Sequence, residues 1–182
     1  MAIPIQSVVN RLLIQPAPIL FLDTCAFLDI MRVPFRDEIS FNIIAAAHEI
    51  LSKAEASKPA LCIVIIELIE EEWLENTDRV LTELENHIKK LDYNLIRFGK
   101  TLDKVGTLSQ FSYTDLTTYD LAQKLYSLSQ RLLKTSVVIK NDDNCKINAI
   151  DRALKYQAPA AYGKTELKDC LKITLFLKNV YL

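Results

Sequence analysis

ILFLDTCAFLDI, residues 19–30, runs four apolar side chains into Asp23 and Thr24 and then into a second apolar segment. An unbroken run of this kind suits a strand buried on both faces of a parallel sheet, here Ile19 to Asp23, with Asp23 at its carboxyl end. In open α/β sheets that end is where ligands and catalytic groups collect. A plainer role is equally open: Asp23 directly precedes the helical pattern Cys25, Ala26, Leu28, Ile30, Met31 and can cap that helix.

Working outward, a turn at Pro34 leads to a helix over about Ser40 to Ala54, with Phe41, Ile44, Ala45, Ala47, His48 and Leu51 on helical spacing and His48 as a partly buried edge residue. ALCIVII, residues 60–66, is a second unbroken apolar strand, and two such strands separated by helix imply a parallel α/β arrangement. From Glu67 the chain turns abruptly into a long charged helix with Ile69, Trp73, Val80 and Leu84 on its apolar stripe. At about 100° per residue, Glu67, Glu70 and Glu71 point away from that stripe, while Glu72 lies within roughly 60° of it. An inward carboxylate is costly unless it is paired or bound to a cation. Residues 92–134 read as further helix broken by a loop near Gly99 to Tyr113. Ser136 to Ile139 is either a short strand or a helix end, Asp142 and Asp143 read as turn and capping residues, and a helix follows over about Asn144 to Tyr156. In the last segment Thr165 caps a helix that turns Leu167, Leu171, Leu175 and Phe176 inward. Asp169 falls in its second turn, favoured by the helix dipole and within reach of Lys168 and Lys172.

Composition narrows the class. At 182 residues, half of them apolar, with three Gly and six Pro, the chain is expected to form one helix-rich domain over 1–182. Cys25, Cys62, Cys145 and Cys170 are scattered, with no C-x-x-C pair and neither His48 nor His87 nearby, which argues for reduced thiols and against structural zinc. The opening residues lack the apolar core of a signal peptide and no run approaches spanning length, so the expectation is a soluble cytoplasmic protein. Residues 1–130 carry twelve Lys or Arg against eighteen acids and residues 131–182 ten against five, so a nucleic acid would meet the last third most easily. Phosphotransfer enzymes of the haloacid dehalogenase type are excluded, because Cys25 stands where their second Asp is required.

The succession of a strand ending in Asp23-Thr24, a second strand feeding a helix with Glu72-Trp73, and a late helix opening on Lys168-Asp169-Cys170 resembles the PIN domain superfamily of nucleases, in particular a PIN-like branch of bacterial proteins. That resemblance implies a short central parallel sheet flanked by many helices. It also implies that Asp23, Glu72 and Asp169 are the catalytic acids, holding Mg²⁺ or Mn²⁺, and that RNA is the substrate. Thr24 and Lys164 are candidate substrate contacts, and a protein partner or a homo-oligomer is open. The reading is a metal-dependent ribonuclease, with a non-catalytic RNA- or protein-binding module as the alternative. Family members usually continue into another strand with a further acid, and many carry a second acid where Ile173 and Thr174 stand here. The chain is thus expected to be either truncated or degenerate at the site. Hard carboxylate oxygens suit these two ions. Without a cation, three crowded acids repel, which raises the pKa of at least one.

Overall fold

The computed structural model describes residues 2–14, 16–106, 111–141, 143–160 and 166–180. The chain forms two compact units: Met1–Thr24, Ser52–Glu72 and Lys134–Leu182 make the first, Cys25–Leu51 and Trp73–Leu133 the second. The expected helix-rich α/β composition with a short parallel sheet is present.

The first unit holds the sheet, in the order β1 (Ile19–Phe21), β2 (Cys62–Ile66), β3 (Val137–Ile139), all parallel. β2 is central, and Ile63 to Ile66 are almost fully buried, as its unbroken apolar sequence requires. β1 is shorter than Ile19 to Asp23 and is not buried on both faces. Among the described residues it pairs with β2 alone, and Ile19 is 46 % exposed. Of the segment Ser136 to Ile139, Val137–Ile139 form a strand, and Ile3 bridges to Ile139. The N-terminus also carries a helix, α1 (Ile5–Ile14), that the sequence reading passed over. Pro4 stands just before it, where a missing N–H costs nothing, and its carbonyl accepts from Ser7 N at 3.0 Å. Ala149, Ala153, Ala160 and Cys170 form a small buried cluster.

Parallel strands need long crossovers, and here these are helical. The first contains α2 (Thr24–Arg32) and α3 (Asn42–Ala54); the second contains α4 (Glu67–Val105) and α5 (Leu121–Thr135). Ala47 and Leu51 are the buried residues of α3, whereas His48 and Phe41 are exposed, so the expected edge histidine is a surface one. α4 runs 39 residues, to Val105, so the loop expected near Gly99 to Tyr113 starts later, with Gly106 in a turn and residues 111–115 outside any helix. Gly99 is used for close approach: a Cβ on it would lie 2.6 Å from the Phe111 ring. Within the second unit Trp73 Nε1 donates to Ser129 Oγ (3.0 Å), which donates to the Phe27 carbonyl (2.8 Å), and all three residues are buried.

α6 (Asp143–Leu154) and α7 (Leu167–Val180) complete the first unit. Asp143 opens α6 and pairs with Lys146 at 2.9 Å, as a first-turn acid should, while Asp142 lies outside the described residues. α7 starts later than expected, which puts Asp169 in its first turn and leaves Leu167 45 % exposed. Thr165 and Lys164 fall outside the described residues, as does the burial of Leu175 and Phe176. None of the four cysteines is in a disulfide; Cys145 and Cys170 are buried, Cys25 exposed. Among the described residues no helix is long and apolar enough to cross a membrane.

Candidate active site

The three acids singled out in the sequence come from three elements of the first unit. Asp23 follows β1 and directly precedes α2, Glu72 lies in the second turn of α4, and Asp169 lies in the first turn of α7. Their carboxylates gather around one side chain, Lys172. Its Nζ is 2.6 Å from Asp23 Oδ1, 3.1 Å from Glu72 Oε2 and 3.5 Å from Asp169 Oδ1. Lys172 reaches this point because Asp169 and Lys172 stand three apart on α7 and so share a face.

Glu72 is the most enclosed of the three, its side chain 13 % exposed against 54 % for Asp23 and 50 % for Asp169. The expectation that it turns inward holds. Glu67 is also half-buried, against expectation, because its carboxylate accepts from the Asn141 backbone N–H at 3.2 Å. Glu72 Oε2 accepts from Thr24 Oγ1 at 2.5 Å, and Lys168 Nζ lies 3.5 Å from Oε1. Thr24, a candidate substrate contact, therefore directs its buried hydroxyl at the acid.

Burial pushes the Glu72 carboxyl up, but the hydrogen bonds from Thr24 and Lys172 and the charges of Lys172 and Lys168 outweigh it and hold the group below its usual range. Glu72 therefore shifts opposite to the rise that crowding alone would give. Burial likewise pulls Lys172 down, and its contacts with Asp23 and Glu72 outweigh that and raise it. The lowered Glu72 contributes stability that is in place above its ordinary value of 4.5 and is lost as pH falls through the lower folded value. The raised Lys172 contributes stability in place below 10.5 and lost as pH rises through its higher folded value. In metal-free buffer, the stability difference between wild type and Lys172→Met in urea is expected to be flat between those two values and to change at both ends. A difference that stays constant down to pH 3 would contradict this electrostatic account.

Beside the charged groups, among the described residues, lies a pocket of about 500 Å³ whose lining includes Ile65, Ile66, Ile69 and Ile173 together with Asp23, Asp169 and Lys172. At the helix position where an acid was absent from the sequence, Thr174 Oγ1 donates to the Cys170 carbonyl at 2.8 Å.

A family profile described as PIN domain matches residues 20–180, which takes in β2, β3, all of β1 but Ile19, and all three acids. The chain belongs to the PIN domain family. No curated protein and no solved structure matches it.

PIN domains generally use divalent metal ions, and the residues here can be tested against that requirement. Three carboxylates and a threonine hydroxyl are hard oxygen donors of the kind Mg²⁺ and Mn²⁺ prefer. Their spacing is another matter. Among the described residues no group of three or more His, Cys, Asp or Glu side chains is placed to hold a metal ion. The cation that the three acids share is the Lys172 ammonium. The donor chemistry of this PIN domain fits a divalent ion; its present spacing fits a lysine.

Proposed function

We propose that the protein is a metal-dependent ribonuclease acting in the cytoplasm, with Asp23, Glu72 and Asp169 as the acids that hold Mg²⁺ or Mn²⁺. The observation that carries this reading is the meeting of the three carboxylates, from positions 23, 72 and 169, around one cationic nitrogen. A bound ion of this class supplies an activated water and neutralises charge developing on phosphorus. The chain's own residues do the positioning. Thr24 fixes the rotamer of Glu72 through its hydroxyl, and Lys168 balances the outer oxygen of the same carboxylate. Lys168 is 57 % exposed, on the side of the carboxylate from which a phosphodiester would approach. The excess of basic residues after position 130 favours the same polyanionic partner. Four cysteines outside any disulfide are in keeping with a reducing compartment.

A second reading, a non-catalytic PIN module that binds RNA or a protein, is favoured by one observation, the lysine that fills the centre of the acid cluster. A single assay separates the two. Purified protein is incubated with mixed single-stranded and structured RNA in EDTA, in Mg²⁺ and in Mn²⁺. Cleavage is expected only with metal, faster with Mn²⁺, which tolerates imperfect ligand geometry. Binding without cleavage in either metal would establish the non-catalytic module, and cleavage undiminished by EDTA would end the metal-dependent reading.

A further inference from the structure

Lys172 is a resident cation at the centre of the acid cluster. Its ammonium lies 2.6 to 3.5 Å from oxygens of all three acids, and its side chain is only 19 % exposed. A divalent ion bound to the same oxygens would sit about 2 Å from each. At that separation it would press directly against Nζ, and two cations at such close range in a partly buried site repel strongly. The other lysine poses no such conflict, because Lys168 approaches Oε1 of Glu72 and leaves Oε2 to Lys172 and Thr24.

We propose that Lys172 and the divalent ion are mutually exclusive occupants of the Asp23, Glu72 and Asp169 cluster, so that metal binding expels the Lys172 ammonium and lysine sets how much metal is needed. The proposal rests on the metal-binding reading above. In the metal-free state the lysine keeps three acids compatible with one another. When the ion enters, the freed ammonium remains tethered one helical turn from Asp169, within reach of a phosphodiester at the metal.

The test is Mn²⁺ binding by the full chain, stripped with EDTA and desalted, with free Mn²⁺ read by electron paramagnetic resonance. Lys172→Met and Lys172→Gln are expected to bind Mn²⁺ at least about tenfold more tightly than wild type, equivalent to about 1.4 kcal/mol, while Lys172→Arg stays near wild type. If wild type binds Mn²⁺ and the two neutral variants bind it no more tightly, exclusion is wrong and Lys172 is a scaffold for the acids. If neither wild type nor the neutral variants bind Mn²⁺, the metal-binding reading falls and this proposal with it. Should the neutral variants not fold, as judged by circular dichroism, wild type alone decides through acylation of Lys172 read by peptide mass spectrometry. Mn²⁺ is expected to raise Lys172 labelling several-fold, and unchanged labelling overturns the exclusion.

Discussion

Asp23→Asn is expected to reduce Mn²⁺-supported RNA cleavage by at least about a hundredfold, with the fold intact. The expectation follows from what the substitution keeps and what it deletes. Asparagine preserves the shape of the side chain and its capacity to cap α2, so the turn from β1 into the helix persists. It removes the charge required to hold a divalent ion, whose contribution to phosphodiester hydrolysis is several kcal/mol. The stability change is small by comparison, about 1 kcal/mol or less, because the pair Asp23 makes with Lys172 is half exposed. Rates on a defined oligonucleotide and a urea melt of both proteins check the two halves. Equal rates for wild type and variant would mean that the cleavage belongs to a contaminating nuclease.

Trp73→Ala is expected to cost about 3 to 5 kcal/mol of folding stability, and Ser129→Ala about 1 to 3 kcal/mol, both read from urea unfolding at neutral pH. Trp73 is 2 % exposed, stacks on Tyr126 at a centroid distance of 5.9 Å, and gives its indole N–H to Ser129, so truncation loses packing and leaves a cavity. Removing the Ser129 hydroxyl instead leaves the indole donor unpaired in a buried place, which is the more expensive way to lose a hydrogen bond. The two changes share one contact, so the double variant should be less destabilised than the sum. Additive losses would mean that the indole N–H contributes nothing to folding.

Asp23 and Glu72 stood out in the sequence because each sits where a pattern breaks: Asp23 ends an apolar run, and Glu72 lies on the wrong side of a charged helix. Asp169 was singled out through the family resemblance, because the helix dipole and neighbouring lysines account for an acid there equally well. β2 was legible because it is central and uniformly apolar. β1 read as doubly buried because a run of apolar residues does not reveal whether a strand has one partner or two. The loop expected near Gly99 to Tyr113 starts only after Val105 because glycine serves close packing as well as turns, and Gly99 makes room for the Phe111 ring. Lys172 was seen only as a neighbour of Asp169. Its contact with Asp23 spans 149 positions, and a lysine on an amphipathic helix reads as solvated until the fold brings a carboxylate to it.

The lysines on α7 also decide the sign of the field that a polyanion would meet. Three carboxylates against the ammonium groups of Lys168 and Lys172 leave the metal-free cluster with one negative charge. One divalent ion reverses this to a single positive charge, so the cluster that repels a phosphodiester when empty attracts one when loaded. Without the two lysines the loaded cluster would remain negative. On the proposed metal-dependent reading, helix α7 would make affinity for the backbone of a nucleic acid conditional on the ion that would cut it.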